Sequence, residues 1–208
     1  MNIKIINNFL FKEDFTELSQ LILKKTKEKE INVYHNSISM DGIKINECIE
    51  KNTLIRLHKN YHNRAIQLLT ELSPKKVELY EYSEFHIIET GKNYKFPIHD
   101  DTPNKLLSGV IYLTPINNVG TLFYDNKSGD NKREIKWEQN RAVFFSRKEK
   151  TTWHSYRGDG ASNRIALVYN LMTKNIKEVS KIENNNYYFS MFRYKLNPYL
   201  YRLFGITI

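Results

Sequence analysis

The chain has 208 residues, enough for one folded domain with a substantial core, and its 40% apolar and 13% aromatic content excludes a disordered chain. A single cysteine, Cys48, excludes an internal disulfide framework and any multi-cysteine zinc or iron–sulfur centre, leaving histidine and carboxylate as metal ligands and a reducing cytoplasm as the expected compartment. The net charge of +9 admits nucleic acid, acidic glycan or anionic lipid as a partner, yet the cations are dispersed in pairs such as Lys24-Lys25, Lys75-Lys76 and Lys132-Arg133 among polar and acidic residues, which favours a solvated surface.

The opening residues Asn2 to Phe11 read as a short strand and reach Lys12, Glu13 and Asp14 before any signal-peptide core can form. No apolar run approaches membrane-spanning length, so a soluble protein is expected. Phe11, Phe15, Leu18, Leu21 and Ile22 then recur with helical spacing, and the helix ends in the lysine-rich stretch from Lys24 to Glu30. A second helix is predicted from about Thr53 to Leu72, with Leu54, Leu57, Tyr61, Ala65, Leu68, Leu69 and Leu72 on one stripe and a stop at Ser73-Pro74. His58 and His62 share a face of it. The intervening Glu of a zinc-protease motif is missing, so they read as ordinary histidines beside an apolar stripe.

After Pro74 the texture turns to short β segments: Lys76 to Ile88, Phe96 to Asp101, Leu106 to Leu113, Thr121 to Tyr124, Arg133 to Trp137, Ala142 to Ser146, Thr151 to Tyr156 and Arg164 to Leu171. Turns rich in Gly, Asn and Asp separate them. This pattern predicts a mainly β, α+β domain, a sandwich or jelly-roll barrel with the N-terminal helices packed outside. The divisions are helical support over 1–74, a β core over about 75–172 and an extension over 173–208. In the extension Asn197 is the expected N-cap, Pro198 the first helical residue and Gly205 the stop. Its aromatic residues, interleaved with Arg193, Lys195 and Arg202, read first as packing against the barrel or a second subunit, and second as a cover over a substrate or a surface for an anionic membrane.

The chemistry-bearing stretch is His99-Asp100-Asp101-Thr102-Pro103-Asn104. Residues i and i+2 share a face of an extended strand, so Asp101 points with His99 while Asp100 points the other way, toward solvent or a neighbouring loop. With His154 these residues make a His/Asp/His set, the donor pattern of facial non-haem Fe(II) centres, which leaves coordination positions open. His35 and His86 belong to no recognisable set.

The ordered residues 77 to 171 resemble the Fe(II)/2-oxoglutarate-dependent oxygenases, prolyl-hydroxylase-like branch. The resemblance is carried by His99-Asp100-Asp101-Thr102-Pro103-Asn104, Val110-Ile111-Tyr112-Leu113, Gly120-Thr121-Leu122-Phe123, Ala142 to Ser146, His154 and Arg164. It implies a double-stranded β-helix in which His99, Asp101 and His154 hold Fe(II). 2-Oxoglutarate would chelate the metal, with its far carboxylate on Arg164 and Tyr112, and O2 would complete the reaction. Asp101 disfavours the halide-binding variant, so hydroxylation is the implied outcome. The chain departs from the branch at three places: Ile88 and Glu89 stand where a tyrosine often contacts the cosubstrate, Ala166 where some relatives carry serine, and Asn140 where glycine is common. Two other functions stay open. One is an oxidative demethylase of nucleic acid, although its usual second arginine is missing from Ile165 to Leu171. The other is a catalytically silent jelly-roll binding module. Peptide, saccharide and small-molecule substrates are not separated by the sequence.

Overall fold

Three long strands with strict inward and outward alternation organise the molecule: β5 (Tyr82–Thr90), β6 (Lys105–Thr114) and β11 (Arg164–Met172) pair antiparallel along nearly their whole lengths. The protein is described by a computed structural model at residues 2–24, 26–46 and 48–204, with backbone alone at 198 and 201–204. The remaining strands are β1 (Lys4–Ile6), β2 (Ile31–Tyr34), β3 (Ser37–Ser39), β4 (Gly42–Lys44), β7 (Thr121–Phe123), β8 (Arg133–Ile135), β9 (Ala142–Phe145) and β10 (His154–Ser155). The larger sheet runs β1-β9-β6-β11-β5-β3-β4, with β2 also on β5, and the smaller runs β10-β7-β8. Bridges Lys95↔Arg157 and His99↔His154 add the 95–99 segment to the smaller sheet beside β10.

The alternation sends two kinds of side chain to two faces. Phe85, Ile87, Leu107, Ile111, Phe144, Leu167, Tyr169 and Leu171 share one core with Leu54, Leu57, Tyr61, Ala65 and Leu69 of the helix α2 (Lys51–Leu72) and Leu18 of α1 (Lys12–Ser19). Tyr112, Val143 and Phe145 on the opposite face meet Phe123, Ile135 and Trp137 from the smaller sheet. The helices therefore cover the outside of the larger sheet while the two sheets face one another. Asp14 of α1 locks the helices together through Tyr61, Arg56 and Asn60.

α2 begins two residues before the expected Thr53. Four other expectations are corrected. The first strand is only three residues, because the chain turns at Asn7-Asn8, where Asn8 has φ 51°. The segment Pro74–Leu79 is a 3-10 turn after the helix stop. Residues 31–44, left without strands by their weak alternation, form β2, β3 and β4 by pairing with β5 or with each other. In the extension, α3 (Ile176–Ile182) precedes α4 (Tyr187–Phe204), which starts ten residues before Asn197. Asn186 caps it by accepting from Phe189 N at 3.1 Å, so Pro198 sits inside the helix. Cys48 is a free, half-buried thiol, and the expected stop at Gly205 lies outside the described residues. Among those described, no helix is long and apolar enough to cross a membrane.

Asn140 holds the turn before β9 with φ 59°, and its side chain accepts from Leu10 N at 2.8 Å and donates to Leu10 O at 2.9 Å. Asn140→Ala should lose both bonds and add left-handed strain, destabilising the fold by about 2–3 kcal/mol, whereas Asn140→Gly should cost about 1 kcal/mol less. Urea denaturation of the two variants measures the difference.

Burial, then the neighbouring His62, pushes His58 down to about 4. The unfolded chain takes this proton near pH 6.5, so it binds more protons than the folded chain between those values. Stability should therefore fall as pH drops from roughly 6.5 toward 4, and His58→Leu should flatten that slope in thermal melts.

Candidate metal centre

His99 and His154 are placed by the backbone before any ligand is considered. The two residues exchange both main-chain bonds, His99 N to His154 O at 3.0 Å and His154 N to His99 O at 2.8 Å, which sets their rings 4.2 Å apart between centroids. Each Nδ1 approaches the carbonyl two residues earlier, Pro97 O at 3.0 Å and Thr152 O at 2.9 Å. A carbonyl can only accept, so each Nδ1 carries the proton and each Nε2 presents its lone pair. Burial, then the charge of His154, pushes His99 down to about 3, so this imidazole is neutral near pH 7.

Asp101 completes the set. One ligand atom from each of His99, Asp101 and His154 lies within 4.8 Å of the others, and they form the one such group of three or more found among the described residues. Burial alone would raise the Asp101 pKa, but Lys105, His154 and His99 hold it below the ordinary carboxylate range. Its Oδ2 accepts from Ser108 Oγ at 2.5 Å and its Oδ1 from Lys105 Nζ at 2.7 Å. Two imidazoles that present Nε2 and one anionic carboxylate fit a divalent metal with open positions. Ser108 and Lys105 were not singled out from sequence; Ser108 lies two rungs from Tyr112 on the same face of β6, and Lys105 follows Asp101 at i+4.

Arg164 opens β11 and is 3% exposed. It donates to Val119 O at 3.2 Å and lies 5.0 Å from the Trp137 ring and 5.1 Å from the Tyr156 ring. No carboxylate pairs with it among the described residues. Burial lowers its pKa, opposed by Tyr112 and Tyr156. The interior between Arg164 and the histidines is aromatic: Tyr156 stacks on Phe96 at 5.0 Å, and Phe96 stands edge-on to His99 at 4.5 Å. Tyr112 is fully buried, but its hydroxyl is engaged, accepting from Thr121 N at 2.8 Å and donating to Thr121 Oγ1 at 3.0 Å. A ligand on Tyr112 must take that proton from Thr121. Gly120 precedes this contact, and a β-carbon there would stand 1.7 Å from Ile135 O.

Glu89 points away from the interior and is held by Thr26 and by Asn163 at 3.1 Å. Of the two directions expected for Asp100, solvent or a neighbouring loop, it takes the second. It points opposite to Asp101, yet it is buried, with Oδ2 accepting from Lys150 N at 2.8 Å and Oδ1 from Arg193 Nη2 at 2.8 Å. Arg193, on α4, also pairs with Glu149 at 2.7 Å. Arg147 bonds Glu149 at 3.3 Å, pairs with Glu183, and donates through Nε to Asp101 O at 3.1 Å. Lys76 closes the network on Glu183 at 2.7 Å. The C-terminal helix is thus tied to the backbone between two of the three ligands. Nothing local in the sequence pairs residues so far apart.

Removing one member of a buried pair leaves the other charge uncompensated. Asp100→Ala should therefore destabilise the fold by about 3 kcal/mol in urea denaturation, while Co(II) absorption still reports a bound metal. Asp101→Ala should lose that absorption. Wild-type stability in Asp100→Ala would show that Arg193 does not anchor the loop.

No family model matches the chain, and no curated protein matches it. Solved structures do. A prolyl-4-hydroxylase from Pseudomonas putida aligns at 14% identity and TM-score 0.52 over 83% of this chain and 92% of its own. An oxidoreductase of the 2OG-Fe(II) oxygenase family from Burkholderia pseudomallei aligns at 13% identity and TM-score 0.55, covering 82% and 84%. IDO from Bacillus thuringiensis aligns at 12% and 0.55, covering 83% and 90%. The chain therefore has the fold of 2OG-Fe(II) oxygenase structures.

Proposed function

We propose that the chain is an Fe(II)- and 2-oxoglutarate-dependent dioxygenase, one domain over residues 1–208, that hydroxylates its substrate with release of succinate and CO2. The scaffold would be a double-stranded β-helix. In support, β5, β6, β9 and β11 make the centre of one sheet while the 95–99 segment, β7, β8 and β10 make the other, with the chain crossing between them.

The observation that carries the proposal is the placing of two complementary features inside one interior. Three metal-type donors converge within 4.8 Å of one another, and beyond the aromatic wall lies a buried guanidinium that pairs with no carboxylate among the described residues. A dicarboxylate with a keto group next to one carboxylate answers both. His99, Asp101 and His154 would hold the metal through Nε2, a carboxylate oxygen and Nε2. Arg164 would take the far carboxylate, since its planar fork suits two parallel bonds. Tyr112 would add one bond by turning its proton from Thr121. When bound, Fe(II) supplies the open positions that couple oxidative decarboxylation of 2-oxoglutarate to oxidation of a substrate C–H bond. One oxygen atom of O2 then ends in succinate and the other in the new hydroxyl. Phe96, Phe123, Phe145 and Tyr156 wall the histidines and keep bulk water from the reacting atoms.

Arg164→Ala should weaken 2-oxoglutarate binding by about 3 kcal/mol, because the bound carboxylate loses its cation, while Co(II) binding survives. Calorimetry with Mn(II) in place of iron measures this, and equal affinity in mutant and wild type would remove Arg164 from the site. Tyr112→Phe should cost roughly 1 kcal/mol of the same affinity. Asp101→Ala should abolish succinate formation.

A further inference from the structure

The inner face of the larger sheet continues past the metal set in a polar rung that the chemistry above does not use. Ser108, Asn170 and Glu84 lie opposite one another across β6, β11 and β5. Ser108 is bonded to Asp101, so the rung begins at a metal ligand and runs outward to Glu84. On the next rung His86 stands beside Glu84, with Nε2 3.6 Å from Glu84 Oε2, and the ring of His35 meets His86 edge-on at 4.5 Å. Two features separate this patch from ordinary packing. The amide oxygen of Asn170, a residue 1% exposed, has no hydrogen-bond donor, while its Nδ2 donates to Glu84 Oε2 at 3.3 Å. Among the described residues Glu84 pairs with no lysine or arginine, although its side chain is only 19% exposed. A carboxylate offers about four acceptor sites, and this one receives a single long amide bond and the distant approach of His86. Lys105, whose charge reaches Glu84, is bonded to Asp101.

Both open groups offer acceptors, and one is a carboxyl whose pKa burial raises, opposed by Lys105 and Asn170, so that an incoming cation is what would hold it as the anion. Resting on the oxygenase reading above, we propose that Glu84 and the Asn170 amide oxygen form the substrate-anchoring site, and that they receive a protonated nitrogen, an ammonium or guanidinium group, of the molecule hydroxylated at the metal. Glu84 supplies the counter-charge, Asn170 the directional acceptor, and His86 and His35 wall the outer side. The deficits select against a neutral or acidic group at this place, because neither would satisfy two acceptors and compensate one negative charge. The cosubstrate's carboxylate is kept to the other end of the interior by the same logic, since Arg164 is there and Glu84 is here.

The test titrates the full chain, loaded with Mn(II) and 2-oxoglutarate, with matched probes: leucine against N-acetyl-leucine, Nα-acetyl-lysine methylamide against its side-chain-acetylated form, and Nα-acetyl-arginine methylamide against the citrulline equivalent. The same probes are assayed with Fe(II) for succinate released above the rate without probe. In at least one pair the charged member should bind roughly tenfold or more tightly than its neutral partner and raise succinate release. Glu84→Gln, which keeps the side-chain shape, should bring the two members of that pair to within about twofold of one another. Where that variant does not fold, the pairs on the wild type decide alone. Neutral members binding as well as charged ones in every pair would overturn the proposal, as would a protein that binds 2-oxoglutarate and releases succinate but responds to no probe. Absence of both 2-oxoglutarate binding and succinate release in the wild type would overturn this proposal together with the oxygenase reading.

Discussion

The reciprocal main-chain pair between His99 and His154 is the constraint on which the rest of the site depends. Two imidazoles have no strong mutual attraction that would hold them a ring's width apart. A pair of backbone hydrogen bonds does hold them, because residues directly opposite in an antiparallel ladder project their side chains from the same side. Once that pair is set, strand alternation delivers Asp101 to the same face, and the i−2 carbonyls fix which nitrogen of each ring is free. The geometry of the three donors is therefore a property of sheet register, and a slip of one residue would turn all three out of the interior.

Buried charge supplies the second layer of reasoning. Lys76, Arg147 and Arg193 are all buried, and each meets at least one carboxylate. Arg164 is equally buried and meets a carbonyl and two aromatic rings. Desolvating a guanidinium costs several kcal/mol unless an anion compensates it. Among the described residues the fold pairs its other buried cations with carboxylates and leaves this one without, which is what supports the proposed anion there. Aromatic faces reduce the cost in the meantime through their quadrupoles.

What could be read from the chain follows the range of the interactions involved. The stripe Leu54, Leu57, Tyr61, Ala65, Leu68, Leu69 repeats within one helix and predicts α2 to within two residues of its observed start. The core strands announce themselves by local alternation, and His99, Asp101, His154 and Arg164 by type and order. β2, β3 and β4 carry little pattern of their own and exist because β5 offers an unpaired edge. α4 was hidden by Pro198, whose usual place is the first turn; here Asn186 provides the cap and the buried Ser190 and Arg193 anchor the helix before the proline is reached. The cluster of Glu84, His86 and His35 could not be seen because His35 comes from the linker between β2 and β3, which only the folded sheet brings beside β5.

The neighbours Asp100 and Asp101 show how one strand divides the molecule into a chemical side and a supporting side. Alternation gives the two carboxylates opposite directions, and each direction has its own cations. Asp101 faces Lys105, Ser108 and the two imidazoles, all within the interior. Asp100 faces Arg193 and the amide of Lys150, which belong to the C-terminal helix and the loop before His154. Because Arg147 also grips the main-chain carbonyl of Asp101, the supporting network holds the peptide on both sides of the bond joining the two residues. The C-terminal helix thereby acts as a back plate for the loop that carries His99 and Asp101: its inward residues Ser190 and Arg193 are fixed by Glu149 and Asp100, while its outward aromatics, Tyr188, Phe189, Phe192 and Tyr199, are exposed. A helix so tied at its first turns cannot swing away as a lid without stranding two buried carboxylates, which is why the packing role prevails over the covering one for this part of the chain.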